Sequence, residues 1–245
     1  MKAIKSFAKQ VFLRCGFEVR RREVDAFSFA KLDTLCANEF ISFFLSRAVG
    51  DVIIIGAHDL ISHDDIADVL QNIKTGRIFA FEPRPDYYEL LIENAKKLKI
   101  ELTPINEAVA PTDGDIKIYE IDKSKLGLYP EWANGIASSS LDHVLKIASR
   151  EHVVSAVYKS SSPDSWFSRF EIQKIKYLQI DAEGYDYEIL RSVNLMLHQP
   201  SIIKFEFVNL STTEKKEVVM ALTGLYDLFF DGENLIAINF KDLLK

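Results

Sequence analysis

The sequence predicts an α/β fold with a doubly wound, mostly parallel sheet. Three observations predict it. Apolar, β-branched-rich runs end abruptly in glycine or carboxylates: residues 52–55 before Gly56, 78–81 before Glu82, and 177–180 before Asp181. Segments of helical spacing separate those runs, the alternation that builds parallel sheets. Capping and turn residues mark the boundaries between the two periods. In open sheets of this kind, ligands bind outside the carboxyl ends of the strands. The carboxylates at those ends are therefore the first candidates for function.

The chain begins with helical spacing. Ile4, Phe7, Ala8, Val11 and Phe12 fall on one face, with lysines on the other. Seven basic residues stand against one acidic residue in the first 22. A helix with a solvated basic side accounts for this pattern. Weak contact with an anionic membrane surface is a second reading of the same face. Residues 25–48 continue with Phe27, Phe29, Leu32, Leu35, Phe40, Phe43 and Phe44, which predicts a helical N-terminal extension over residues 1–49. Residues 50–245 then form one domain.

Val52-Ile53-Ile54-Ile55 reads as a buried parallel strand entering a turn at Gly56-Ala57. Ser62, followed by Asp64 and Asp65, predicts a capped helix to about residue 74. Residues 78–81 are the second strand. Asp86 with Glu89 predicts a capping box for the next helix. Residues 100–105 and 116–121 read as strands, residues 122–141 as irregular, and residues 153–157 as a short strand. A loop at 160–163 precedes a short helix containing Trp166. The strand at 177–181 leads into a helix with Asp186 at its start. Residues 202–207 form the next strand, and Ser211 with Glu214 caps another helix. Residues 225–230 and 235–240 form a late antiparallel hairpin around Asp231-Gly232.

Composition narrows the function classes. Thirty Lys and Arg against 36 Asp and Glu give a net charge of −6, against sequence-independent nucleic-acid binding. Two cysteines, Cys15 and Cys36, are too few for a disulfide scaffold and point to a reduced, cytoplasmic setting. No run approaches a membrane span, and the N-terminus lacks an apolar signal-peptide core. The sequence carries no signal for an oligomeric state.

Glu82 ends the second strand 26 residues after Gly56. In nucleotide-binding α/β folds a carboxylate here accepts both hydroxyls of a ribose; the plain alternative is a solvated turn carboxylate. The turn Gly56-Ala57-His58-Asp59 has one glycine where a pyrophosphate clamp needs several. That favours S-adenosyl-L-methionine over a dinucleotide, with His58 and Asp59 near its amino-acid part. Asp181 and Glu183 suit acid–base work, against a helix-capping and solvated reading. No third ligand accompanies them, so no metal is assigned. Trp166 and Phe167 read as core before sugar platform, serines 138–140 as loop residues before acceptor contacts, and His143, His152 and His198 as surface or core. Tyr185, at the mouth of the turn, is a candidate acceptor contact.

Several strings now fall into one order. Phe81-Glu82-Pro83, Asn106-Glu107-Ala108-Val109 with Asp113-Gly114, Ile180-Asp181-Ala182-Glu183-Gly184, and Ile202-Ile203-Lys204-Phe205-Glu206 together resemble the FkbM-type methyltransferase family, over roughly residues 50–240. The resemblance implies a class I, Rossmann-like methyltransferase fold and O-methyl transfer to a hydroxyl of a sugar, glycan or small polyol. It puts Gly56, Ala57 and His58 on the cofactor loop, Glu82 on the ribose, and Asn106, Glu107 and Ala108 near the adenine. Asp181 and Glu183 would lie between donor and acceptor. The family's first motif reads Asp-x-Gly-Ala-Asn-x-Gly. Here Ile54 replaces the aspartate, His58 the asparagine and Leu60 the last glycine, with Asp59 the nearest substitute acid. A degenerate family member that binds without turnover is thus a competing expectation, and an NAD-dependent dehydrogenase a weaker one.

Overall fold

The computed structural model describes residues 20–24, 27–31, 34–62 and 66–243. Its main element is a nine-stranded sheet. In chain order the strands are β1 (Arg20–Val24), β2 (Phe27–Lys31), β3 (Asp51–Ile55), β4 (Ile78–Phe81), β5 (Thr103–Ile105), β10 (Ile175–Ile180), β11 (Ile202–Glu206), β12 (Asp227–Phe230) and β13 (Asn234–Ile238). Their spatial order is β1-β2-β12-β13-β11-β10-β3-β4-β5. The run from β5 to β11 is parallel, and β13 joins antiparallel to both β11 and β12. The chain winds outward from β3 through β4 to β5, then resumes on the other side of β3 with β10 and β11. That reversal puts the topological switch point between β3 and β10, where a ligand crevice opens.

Both faces of this sheet are covered, which is why its strands read as continuous apolar runs. The helices are α1 (Thr34–Leu45), α2 (Ile66–Gln71), α3 (Pro85–Leu98), α4 (Leu141–Leu145), α5 (Pro163–Arg169), α6 (Asp186–Ser192), α7 (Leu195–His198), α8 (Thr212–Leu222) and α9 (Phe240–Leu243). Val52 and Ile54 pack to one side with α1, α2 and α3 residues such as Phe40, Val69 and Leu91. Ile53 and Ile55 pack to the other with Trp166, Ile189 and Val218. Alternate residues of one strand thus anchor two separate cores.

A second sheet, ordered β6-β9-β7-β8, stands over the crevice. It comprises β6 (Ala108–Val109), β7 (Gly114–Ile121), β8 (Ala137–Ser138) and β9 (Val153–Ser161). β7 and β9 pair antiparallel from Gly114↔Ser160 to Ile121↔Val153. The second strand is longer than its sequence pattern predicts, because its pairing partner extends just as far. Short 3₁₀ turns fill residues 123–135.

The described part of the N-terminal extension differs from expectation. Residues 1–19 lie outside the described residues. Arg20–Val24 and Phe27–Lys31 form an antiparallel strand pair instead of a helix, with Val24 opposite Phe27. Phe27-Ser28-Phe29-Ala30 alternates with a period of two, and that signal wins over the helical spacing of the wider window. β2 then joins the main sheet beside β12. The helix begins only at Thr34. Two caps differ as well. α3 starts at Pro85 with Arg84 at its N-cap and no side-chain cap, so Asp86 is free to pair with Arg84 and Lys123. The Ser62 hydroxyl donates to Asp59, and α2 starts further on, at Ile66; Asp64 and Asp65 lie outside the described residues. Ser211 and Glu214 do form their capping box. Among the described residues no helix is long and apolar enough to cross a membrane.

Phe40 of α1 is fully buried, with its ring 5.1 Å from Phe44 and 5.2 Å from Phe229. The helix before residue 50 is therefore part of the core. Phe40→Ala should cost about 3–5 kcal/mol in urea denaturation; a loss below about 1 kcal/mol would show that α1 is a dispensable appendage.

Candidate active site

The site is built where β3 and β10 end side by side, Ile55 opposite Ile180. Asp181 N–H donates to the Ile55 carbonyl at 3.0 Å, and Gly56 N–H and Ala57 N–H both donate to the Phe81 carbonyl. The three strand ends are thereby tied into one ledge. Gly56 has φ +74°, and a Cβ there would lie 1.7 Å from the Asp181 carbonyl oxygen. Its glycine identity answers to strand-end contact as much as to any ligand. The chain then turns through two further left-handed residues, His58 (φ 47°) and Leu60 (φ 70°).

Above the ledge lies a cleft. Glu82, Asp181 and Glu183 all line it, with Gly56, His58, Glu107 and Ala108. Ile116, Ile118 and Val109 from the second sheet form an apolar roof. Glu82 is buried, and its two oxygens accept the backbone N–H groups of His58 (3.0 Å) and Arg84 (2.9 Å). Burial pushes its carboxyl up to about 7, against the opposing pull of those N–H groups and the Arg84 charge.

Arg84 is the cleft residue that the sequence reading passed over. Its guanidinium is buried, donates to the Asn134 carbonyl at 3.3 Å, and lies 4.1 Å over the Tyr87 ring. It also pairs with Asp86, and with Glu120 of β7 at 3.1 Å in a geometry too bent for a hydrogen bond. One side chain thus ties the β4 end to the roof. Ser139, for which the loop reading is preferred over an acceptor contact, lines the cleft, and its Oγ is buried without a hydrogen-bond partner.

The acid-bearing turn between β10 and α6 is conformationally costly. Glu183 has φ 51° and Gly184 φ 89°. His143 Nε2, from α4, lies 3.4 Å from Glu183 Oε2. Behind this turn Asp186 is 1% exposed, and its carboxyl is raised to about 8, first by burial and then by Glu206. Glu206, at the end of β11, is itself raised by burial and by Glu183. Among the described residues no three His, Cys, Asp or Glu side chains converge as metal ligands.

Three residues expected at the cofactor do not line the cleft. Ala57 is buried beneath the ledge. Asp59 turns its carboxylate into its own loop, where it accepts from Ile61 N–H (3.0 Å) and Ser62 N–H (2.8 Å). Burial opposes ionisation there, but the bonds from Ser62, Ile61 and His58 hold the group well below the usual carboxylate range. Asn106 donates to the Glu82 and Pro83 carbonyls and so fixes the bend that presents Glu82. Ile54 is fully buried in the core facing α1, so no substitute for the absent acid exists at that position. Trp166 is core, 5.0 Å from Phe81, and His198 stacks on Phe167.

A family model described as the methyltransferase FkbM domain matches residues 55–229. Hexuronic acid methyltransferase AglP of Haloferax volcanii is 25% identical over 168 residues, 65% of this chain. The chain spans 62% of the length of that curated relative. A solved FkbM methyltransferase from Methylobacillus flagellatus aligns over 83% of this chain and 50% of its own, at 9% identity and a TM-score of 0.47. A precorrin-6y C5,15-methyltransferase from Geobacter metallireducens aligns over 86% and 92%, at 17% identity and a TM-score of 0.37.

Two measurements test this geometry. Gly56→Ala should cost about 3 kcal/mol or more, because the new methyl group meets a backbone carbonyl and the residue must stay left-handed. Asp186 binds its proton more tightly in the folded chain, so it withdraws stability as pH rises from its unfolded value of 3.8 towards about 8. Asp186→Asn should flatten that fall in urea midpoints. An unchanged slope would mean that the carboxyl ionises normally.

Proposed function

The chain belongs to the methyltransferase FkbM domain family, and from that premise we propose that it transfers a methyl group from S-adenosylmethionine to a hydroxyl of a sugar, glycan or small polyol. The observation that carries this reading is the convergence of Glu82 with Asp181 and Glu183, from separate strand ends, on one cleft.

The donor-side residues fit the cofactor. Glu82 has one N–H on each oxygen and retains acceptor capacity on both, which suits the paired hydroxyls of a ribose. His58 and Gly56 border the same space, and Glu107 and Ala108 close its far end. The loop is poorly suited to a pyrophosphate. Its amides at residues 56, 57, 58, 60, 61 and 62 already donate inside the protein. A dinucleotide would find none of those donors available, whereas S-adenosylmethionine carries no phosphate. When bound, the cofactor supplies an electrophilic methyl on a positively charged sulfur.

On the acceptor side, Asp181 or Glu183 takes the proton that a hydroxyl gives up as it attacks, and their charge complements the sulfonium. The apolar roof of Ile116, Ile118 and Val109 limits water. The hexuronic acid named for AglP is consistent with a sugar-like acceptor. A second reading, binding without turnover, is favoured by Ile54 in place of the motif's acid and by Asp59 facing its own loop.

Calorimetry with S-adenosylhomocysteine tests the donor assignment. A ribose needs the ionised form of Glu82, whose carboxyl stays protonated up to about 7. Affinity should therefore rise from about pH 6 to 8 with proton release. Glu82→Gln should weaken binding about tenfold and remove the pH dependence. Absence of heat with either adenosyl ligand would sink the methyl-transfer reading. Binding with no labelled-methyl transfer across a glycan and polyol panel would favour the second reading.

A further inference from the structure

We propose that His143 is a positioning residue that holds Glu183 as the proton acceptor for the hydroxyl being methylated; this rests on the methyl-transfer reading of the cleft.

Neither the sequence pattern nor the family motifs single out His143. Its place follows from local structure. Ser140 caps α4 by accepting the His143 N–H, and Ser138 Oγ accepts the Ser140 N–H. That corner leans the imidazole, itself 7% exposed, against the β10–α6 turn. A Cβ on Gly184 would lie 2.7 Å from His143 Nδ1, so the bare backbone of Gly184 is what admits the ring. The other ring nitrogen, Nε2, lies 3.4 Å from Glu183 Oε2.

Glu183 occupies a left-handed conformation that a residue with a side chain keeps only where its surroundings hold it. His143 is the group in place to do so. Glu206 bears on the same carboxylate from β11, and its own Oε2 is buried without a partner. Ser139, on the His143 corner, also lines the cleft, and its Oγ is buried without a hydrogen-bond partner. In the step itself the acceptor oxygen gains the methyl carbon, and its proton passes to the Glu183 carboxylate. The electrons of the broken carbon–sulfur bond stay with sulfur. At 3.4 Å the pair is in ion-pair range without a formed hydrogen bond in the free protein, and contacts at sites without substrate often tighten only when it binds.

Substitution separates positioning from packing. His143→Gln keeps an N–H donor near Nε2, whereas His143→Phe keeps the ring and loses the donor. Amide hydrogen exchange at Gly184 and Tyr185 is followed in the full chain without ligand. It should quicken about tenfold in His143→Phe, the worth of one hydrogen bond to a charged group. In His143→Gln it should stay near the wild-type rate. Unchanged exchange in His143→Phe overturns the proposal, as does equal quickening in both variants. If His143→Phe does not fold, Glu183→Ala removes the contact from the other side and should give the same quickening. S-adenosylhomocysteine affinity should not move in either histidine variant. With any acceptor that the wild type methylates, kcat should fall at least tenfold in His143→Phe at unchanged donor KM, and His143→Gln should restore it to within a few-fold. Failure of the wild type to bind S-adenosylhomocysteine would overturn the methyl-transfer reading, while the exchange rates would still decide whether His143 holds Glu183.

Discussion

The structure depends on one close approach: the backbone after β3 lies directly against the backbone after β10. With the Gly56 Cα position facing the Asp181 carbonyl, and Asp181 N–H bonded to the Ile55 carbonyl, no side chain fits between the two strand ends. That contact sets the direction in which the Asp181 turn leaves the sheet. It also sets the height of the loop whose amide at His58 meets Glu82. Glu82, Asp181 and Glu183 share a cleft because their strands are locked at their tips. The cleft's floor is thus a property of the sheet, and its roof is a separate sheet fastened on by side chains.

The altered first motif has a physical account at two of its positions. His58 and Leu60 both have positive φ, which explains why the family pattern has asparagine and glycine there, the residues that tolerate it best. Leucine in that conformation costs about 1–2 kcal/mol. Its side chain is only 2% exposed, and burial of that kind contributes about 1.5–3 kcal/mol. Burial offsets the strain, so the loop keeps its shape without its glycine. Ile54 is different, because it exchanges the motif's charge for core packing.

Much of the fold was legible in the chain. Residues 52–55, 78–81 and 177–180 are apolar throughout because both faces of the sheet are covered, and the acids that end them mark the crevice. Glu82, Asp181 and Glu183 were readable for that reason. Residues 20–24 and 27–31 pair as strands where a helix was expected, because spaced phenylalanines satisfy a helix over a long window and a strand over a short one. The direction of Asp59 is not legible because sequence places a carboxylate without aiming it; two backbone N–H groups two and three residues ahead engage it. Arg84, Ser139 and His143 had no local signal. The contacts of Arg84 and His143 lie far along the chain: Glu120 and Asn134 for Arg84, and Glu183 for His143. Pairing over such separations is decided by the second sheet and its turns, whose composition is irregular.

The saturation of Arg84 has a further consequence for the cleft. Among the described residues that line it, Arg84 is the one lysine or arginine, and Asp86, Glu120 and the Asn134 carbonyl already engage it. The guanidinium is therefore spent as a brace, and its loss would unfasten the second sheet from the end of β4.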